Sequence, residues 1–254
     1  MKKFLAELKR RNALLYWFGW FNMVVALICI LLMPTENIQL LNVNRWLKPT
    51  KFYLSVGIMT WTMGWILYHL SNPGKVKKFS WIIVTTMAFE NGLVLLQAAR
   101  KTTSHFNTKT AFDGILFSAM GLTILVFTIT FIFITIAFFQ QKTFNIPEAY
   151  LWGIRLGLVL FILFSLEAGF MLSQLKHTIG AEDGTEGIPV FNWSRKYGDL
   201  RVAHFFGLHA LQVLPLAGWY IARNKRQEFI ISAAYFTLVL LFLIQALKGI
   251  PLFF

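Results

Sequence analysis

The chain has 254 residues, of which 57% are hydrophobic and only 14% are charged, with 26 Phe and 9 Trp. Soluble domains carry charge on about a quarter of their residues, so this composition excludes an ordinary soluble protein and predicts a protein of the lipid bilayer. The net charge of +13 does not indicate nucleic-acid binding, because Lys and Arg stand in short clusters between apolar runs, as topogenic charges do.

The apolar runs are long enough to cross a membrane as helices, and they predict an all-α bundle of seven spans in a single transmembrane domain, 1–254. The predicted spans are 13–33, 52–70, 79–99, 112–139, 150–172, 203–222 and 229–247. The first run is too long for a signal-peptide core and lacks a small-residue cleavage site, so it is interpreted as an uncleaved span. The only long loop, 173–202, is predicted to be extracytoplasmic.

Charge distribution predicts which way the bundle faces. Three of the predicted inner segments, MKKFLAELKRRN, SNPGKVKK and ARNKRQE, are dense basic clusters with almost no acid. Basic residues are about as numerous on the predicted outer side, but several of them stand beside acidic residues such as Glu36, Asp113 and Asp199. We therefore expect a cytoplasmic amino end and an extracytoplasmic carboxyl end.

The basic residues at the predicted outer helix ends allow two interpretations. They include Arg100, Arg195, Arg201 and Lys248. In the first, they reach toward lipid headgroups and pair with nearby acids. In the second, they form a basic rim around an anionic ligand. The sequence leaves both open.

Polar side chains within the spans concentrate in the predicted outer halves. They are Glu90, Asn91, Gln97, Ser118, Glu167, His204, His209, Gln212 and Gln245. Ionisable groups at membrane depth are costly and usually functional, so this asymmetry predicts a pocket open to the outer face and closed toward the cytoplasm. We expect the third, fifth, sixth and seventh spans to build it. The loop and helix-end residues predicted to line it are Arg100, His105, Asp113, Trp193, Arg195, Asp199, Arg201 and Lys248.

The sixth span carries two histidines, His204 and His209. Five residues turn a helix by about 140° beyond one full turn, so the two rings do not share a face as an i, i+4 zinc pair does. His209 shares its face with Gln212 and lies about two turns inside the membrane. A buried imidazole needs a partner, so we expect His209 to be bonded to a carboxylate, an amide or a metal.

Two of the chemistries that fit these residues use a cofactor. Imidazole and carboxylate are donors that zinc and ferrous iron use, so a non-haem metal held by His209 with Glu167 and Glu90, and with His204 or His105 as a further ligand, is one hypothesis. A haem bound by His209 and a histidine from another segment is the second. The sequence does not decide whether either cofactor binds.

A third chemistry needs no metal. Buried Glu90 and Glu167, paired with cations such as Lys248 and Arg201, would transfer protons or recognise a ligand. A purely structural polar network is the bland alternative. In the catalytic hypothesis the working residues are Glu90, Glu167 and His209.

Two stretches, QAARKTTSHFNTKTAFDG and GIPVFNWSRKYGDLRVAHFFGLHALQVLPLAGW, resemble an uncharacterised family of bacterial polytopic membrane proteins. The resemblance covers the third to the sixth span. It implies a multi-pass protein of the bacterial plasma (inner) membrane, and it implies neither an activity nor a site residue.

The leading functional hypothesis is an enzyme or sensor that uses a metal or proton-active carboxylates in the outward-facing pocket. A transporter of a small or anionic solute is the first rival, and a non-catalytic assembly or structural subunit is the second. The bilayer is the expected partner in each case, with a small-molecule or anionic ligand arriving from the outer face. The sequence leaves the oligomeric state open.

The first testable prediction concerns topology. A reporter fused after Phe254 should be active only in the extracytoplasmic space, because an odd number of spans places the two ends on opposite sides. Enzymatic assay of the fusion in whole cells measures this. Activity in the cytoplasm would show that the number of spans is even.

Overall fold

The computed structural model describes residues 2–253, with Lys2 described by its backbone alone. This part of the chain is helical except for two short hairpins and the connecting loops. The helices are α1 (Lys2–Arg11), α2 (Ala13–Leu32), α3 (Leu47–Leu67), α4 (Pro73–Ala99), α5 (Ala111–Gln140), α6 (Glu148–Gln174), α7 (Leu200–Tyr220) and α8 (Lys225–Leu247). A 3-10 turn, Met33–Thr35, follows α2. The strands form two antiparallel pairs, β1 (Gln39–Leu40) with β2 (Val43–Asn44) and β3 (Thr178–Ile179) with β4 (Gly198–Asp199).

Six of the helices, α2 and α4 to α8, are long and apolar enough to cross a bilayer. The expectation of an all-helical, multi-pass membrane protein is therefore confirmed. The remaining predicted span, 52–70, falls largely on α3, which has 21 residues and is not among the six.

The chain forms two compact units, Met1–Gln141 and Lys142–Phe254. The first contains α1 to α5 and the hairpin β1–β2, and the second contains α6 to α8 and the hairpin β3–β4. The single domain expected from the sequence stays a prediction.

In the first unit, α2 and α3 run antiparallel in close contact. A Cβ atom added at Gly19 would lie 2.0 Å from the indole nitrogen of Trp61, so only glycine allows that ring to lie against α2. Farther along α3, Gly64 faces Leu15 near the start of α2. Small residues at such points let two membrane helices approach closely.

Polar side chains define where several helices begin. Asn12 turns the chain between α1 and α2, and its side-chain oxygen accepts from the backbone N–H of Leu15 at 3.1 Å. Asn72, Thr110 and Asn224 cap α4, α5 and α8 in the same way. Each cap satisfies one of the backbone donors left free at a helix start.

In the second unit, the backbones of α6 and α7 approach each other closely. A Cβ at Gly153 would lie 2.4 Å from the carbonyl oxygen of Leu214, and one at Gly157 would lie 2.8 Å from that of Ala210. On α7, a Cβ at Gly207 would meet the ring of Phe164 at 2.0 Å. Gly153 and Gly157 of α6 and Gly207 of α7 therefore let the two helices pack closely.

The loop after α6 is held by one carboxylate outside the spans, that of Asp183. It accepts hydrogen bonds from the backbone N–H groups of His177 and Thr178, each at 3.0 Å, and the His177 Nδ1 atom lies 2.5 Å away. Burial alone would raise the pKa of Asp183, but these hydrogen bonds outweigh it and hold the pKa well below its usual range. The loop is thus ordered around an ionised group.

The close approach of α6 and α7 generates the second prediction. Gly153→Ala should lower the free energy of unfolding by about 1–3 kcal/mol, because the new methyl group meets backbone atoms that cannot rotate away. Gly169→Ala on the same helix is the matched control, since nothing lies within 4 Å of its added Cβ. That control should be neutral or stabilising by up to ~1 kcal/mol. Denaturant titration in detergent measures both; equal effects would contradict the packing described.

Candidate functional site

The predicted site residues divide between the two units. The first unit holds Glu90, Gln97, Arg100, His105 and Asp113. The second holds Glu167, Trp193, Arg195, Asp199, Arg201, His204, His209, Gln212, Gln245 and Lys248. Each unit brings some of its own residues together, and the single four-span pocket stays a prediction.

Glu90 is a buried carboxyl of the first unit, lying on α4 with a side chain only 4% exposed. The Nε2 atom of His105 lies 3.9 Å from its Oε1 atom. Its Oε2 atom is buried and has no hydrogen-bond partner among residues 2–253. The other ring nitrogen of His105 lies 2.9 Å from the hydroxyl of Ser104. The loop after α4 therefore places an imidazole, 23% exposed, between a buried carboxyl and the surface.

Helix α3 adds two residues to this cluster that the sequence analysis did not include. Phe52 packs edge-to-face against the ring of His105, with centroids 5.5 Å apart. The ammonium of Lys48 lies 5.7 Å over the Phe52 ring and interacts electrostatically with Glu90. Their four-residue spacing puts both on one helix face. That spacing is the signal the sequence offered, although it does not reveal which carboxyl the face meets.

Next to Glu90 along α4, Asn91 joins α4 to α2. Its amide donates to the Oδ1 atom of Asn22 at 2.8 Å, and the amide of Asn22 donates to the carbonyl of Phe18 at 2.7 Å. The Oδ1 atom of Asn91 is buried without a partner among the described residues. Interhelical amide bonds of this kind fix how one membrane helix is rotated against another. This bond holds α4 in a rotation in which the neighbouring Glu90 is buried.

Gln97, Arg100 and Asp113 form a separate, closed cluster. The amide of Gln97 and the guanidinium of Arg100 donate to the Oδ1 atom of Asp113, at 2.9 and 2.6 Å. The hydroxyl of Thr110 donates to its Oδ2 atom at 2.7 Å. Both carboxylate oxygens are therefore occupied. These three residues fasten the end of α4 to the start of α5, and their role in ligand binding stays a prediction.

Glu167 is a buried carboxyl of the second unit, on α6, with a side chain 3% exposed. Its Oε2 atom lies 3.2 Å from the Nδ1 atom of His204 on α7, whose side chain is 27% exposed. Its Oε1 atom is buried and has no hydrogen-bond partner among the described residues. The arrangement repeats that of Glu90: one carboxyl oxygen faces a partly exposed imidazole and the other has no partner.

His209 is bonded through one ring nitrogen to its own helix. Its Nδ1 atom lies 2.7 Å from the carbonyl oxygen of Phe205, four residues earlier on α7, and its ring packs on that of Phe205 with centroids 4.1 Å apart. Since a carbonyl only accepts, Nδ1 donates, and the expected bond of His209 to a carboxylate, an amide or a metal stays a prediction for its other nitrogen. His204 makes the bond to Glu167 because it lies on the other face of α7.

Arg201 does not pair with a buried glutamate either. Its guanidinium donates to both oxygens of Asp199, at 2.9 and 2.5 Å, and to the carbonyl of Asn192 at 2.5 Å. Asp199 also accepts from the backbone N–H of Ser194 at 2.9 Å and caps α7 through the N–H of Arg201. The charge of Arg201 is therefore paired with Asp199, the N-cap residue of the same helix.

Three other predicted lining residues of the second unit make contacts of their own. Trp193 is buried and stacks on Phe191, with centroids 4.5 Å apart. Arg195 lies 3.5 Å from Glu186 in an exposed ion pair, and the amide of Gln245 donates to the carbonyl of Pro251. The first two contacts lie within the loop after α6, and the third joins α8 to the chain that follows it.

Within the described residues, no group of three or more His, Cys, Asp and Glu side chains is arranged to hold a metal ion. Glu90 and Glu167 each meet one imidazole, so each pair supplies two possible metal ligands, whereas zinc sites use three or four protein ligands. The metal and haem hypotheses stay predictions.

Comparison with family models, with curated proteins and with solved structures found no match for this chain. The resemblance carried by residues 97–114 and 187–219 stays an expectation from the sequence. The two buried carboxyl–imidazole pairs are therefore the features of the structure that bear on function.

The third prediction separates the two histidines of α7. In double-mutant cycles, Glu167→Gln and His204→Gln should show a coupling energy of about 0.5–3 kcal/mol, because the side chains contact each other. Glu167→Gln and His209→Gln should be additive within ~0.5 kcal/mol, because His209 is bonded to its own helix. Unfolding free energies in detergent give both values. Stronger coupling to His209 would contradict the pairing described.

Proposed function

We propose that this chain is a multi-pass protein of the bacterial plasma membrane that binds and releases protons at buried carboxyl–imidazole pairs, as part of an enzyme or a sensor. The observation that carries the proposal is the pair Glu167–His204, in which a buried carboxyl presents one oxygen to an imidazole while the other has no partner among the described residues. The pair Glu90–His105 repeats the pattern more loosely.

An unpartnered carboxyl oxygen in an apolar interior has a physical consequence. Leaving a buried acceptor unsatisfied costs about 1–3 kcal/mol, and the cost disappears when a proton, a water or a ligand donor reaches that atom. Histidine exchanges protons near neutral pH in its ordinary surroundings. A partly exposed imidazole beside a buried carboxyl therefore provides a route by which a proton from water reaches the carboxyl.

We also propose that α3 crosses the membrane, which gives seven spans. Its 21 residues rise about 31 Å, close to the thickness of a bilayer core. It lies antiparallel to α2 over its length, from the contact of Trp46 with Cys29 at one end to that of Gly64 with Leu15 at the other. Because α2 is long and apolar enough to span, a helix in contact with it throughout spans too. About half of α3 is buried, so it needs fewer apolar residues than a lipid-facing helix.

Seven spans place the chain ends on opposite sides, and the basic clusters then orient the amino end inward. In this orientation His105 and His204 both lie toward the outer face. Protons would enter the two pairs from the extracytoplasmic side. The pocket's predicted closure toward the cytoplasm fits a sensor or enzyme rather than a transporter, which needs access from both sides.

The fourth prediction tests the proton-binding role. Infrared difference spectra of the reconstituted protein between low and high pH should contain a carboxyl stretching band that is lost in Glu167→Gln. His204→Gln should slow the appearance of this band after a jump in pH, because it removes the group through which the proton reaches the carboxyl. Glu186→Gln, at an exposed loop residue, should leave the band unchanged.

The same spectra can contradict the proton-binding role of the two glutamates. A band set that is identical in the wild type, Glu167→Gln and Glu90→Gln would show that neither carboxyl titrates. In that case the two pairs are structural, and the proposal fails.

A further inference from the structure

The first unit contains a cavity of about 560 Å³ at the end opposite to Glu90's imidazole. It lies where α1 meets α2, where α3 ends and where α4 begins, and its lining includes Arg11, Asn12, Lys77, Ser80 and Trp81. None of these residues belongs to the carboxyl–imidazole pairs. We propose that this cavity binds the phosphate headgroup of an anionic phospholipid, with the acyl chains of the lipid along its apolar side.

The depth of the cavity fits a headgroup. It lies at the ends of α2 and α4, two helices long and apolar enough to cross the bilayer, so it sits at the level where hydrocarbon meets water. Trp81, 50% exposed, lies on its rim. Tryptophan is enriched at that level of a membrane because its ring is apolar and its N–H is polar.

The cavity carries positive charge on two sides. Arg11 is held in place by its stacking on Trp65, with its guanidinium carbon 3.9 Å from the ring centre, and by Glu7 at 2.8 Å. Glu7 also pairs with Arg10 at 2.7 Å, so one carboxylate serves two guanidinium groups and an excess of positive charge remains. Hydrogen bonds from Arg10 and then Arg11 lower the pKa of Glu7 to about 2, so this balance does not change near neutral pH.

The opposite wall belongs to the start of α4. Lys77 is exposed there, within the segment SNPGKVKK, which has three lysines and no acid. Each Lys or Arg near an anionic membrane surface contributes about 1 kcal/mol of attraction to anionic lipid. Arg11 on α1 and Lys77 on α4 therefore both line the cavity. Two cations on different helices favour binding of one phosphate between them over diffuse attraction to the lipid surface.

The floor and the apolar side complete the match to a lipid. The amide of Asn12 donates to the hydroxyl of Ser80 at 2.8 Å, which gives the cavity a polar floor that joins α2 to α4. Leu14 and Val76 also line the cavity, so part of its wall is apolar. A soluble anion would leave these side chains uncovered, whereas a phospholipid covers them with its chains. The mixed lining thus favours a lipid over free phosphate.

The fifth prediction measures lipid retention by the full-length protein. Native mass spectrometry after reconstitution in equal amounts of phosphatidylglycerol and phosphatidylcholine should show one retained phosphatidylglycerol. Lys77→Gln should weaken this retention about five-fold, the equivalent of ~1 kcal/mol. Lys75→Gln is the matched control, because Lys75 is an exposed neighbour on the same turn that does not line the cavity. It should retain the lipid as the wild type does.

A second variant tests the cavity rather than its charge. Val76→Trp should fill the space and abolish retention while every basic residue stays, and its unfolding temperature reports whether the fold is intact. Equal retention by the wild type, Lys77→Gln and Val76→Trp would overturn the proposal. So would equal losses in Lys75→Gln and Lys77→Gln, which would indicate diffuse attraction. Displacement of the lipid by excess inorganic phosphate would show that the site takes a soluble anion, and the lipid assignment would then be wrong.

Discussion

The absence of water from the bilayer core is the constraint on which this structure depends, since each buried polar group must find its partner within the chain. Most side chains within the helices meet it locally. The hydroxyls of Thr60, Thr86 and Thr130 donate to carbonyls four residues earlier, at 2.8, 2.6 and 2.8 Å. Such bonds hide a hydroxyl without involving another helix. Asn91 instead donates to Asn22 across two helices. Against this background, a carboxyl oxygen without a partner is an exception that needs a cause.

The acidic residues fall into two classes when judged by that constraint. Asp113 and Asp199 have both oxygens engaged, by an arginine and by donors of their own helix starts. They act as structural joints, and a ligand could reach them only by displacing bonds already made. Glu90, Glu167 and Glu228 each keep one buried oxygen without a partner among residues 2–253, and Glu90 and Glu167 also face an imidazole. Evolution toward stability alone would fill or remove such an atom, so the open class is where chemistry is expected.

The sequence predicts the helices well because bilayer thickness and hydrophobicity are local properties. The predicted span 150–172 lies within α6, and 79–99 ends with α4, although α4 begins six residues earlier at Pro73 because an N-cap and a proline start it outside the apolar run. The small residues Ala203, Gly207 and Ala210 of α7 recur every three to four positions, so the sequence also shows that they share one face. Partners are less predictable, because they depend on how helices rotate against each other. The sequence shows that His204 and His209 lie on different faces of α7, but only the rotation of α7 against α6 decides that His204 meets Glu167.

The two ends of the chain's helices also differ in how their basic residues are used, and this bears on which ligands each end can take. At the predicted outer end, Arg45, Arg100 and Arg201 are each paired with a carboxylate, and Arg45 also donates to the last carbonyls of α4. Pairing with nearby acids, one of the two interpretations of this charge, therefore describes these three residues. An anion arriving there would compete with carboxylates already bound, whereas a proton or a hydrogen-bond donor would meet the open oxygens of the glutamates. At the other end the segment SNPGKVKK has no acid of its own, so positive charge remains for an anion. Basic side chains at helix ends are thus neutralised by carboxylates at the predicted outer side, whereas at the other side they leave positive charge that can bind an anion.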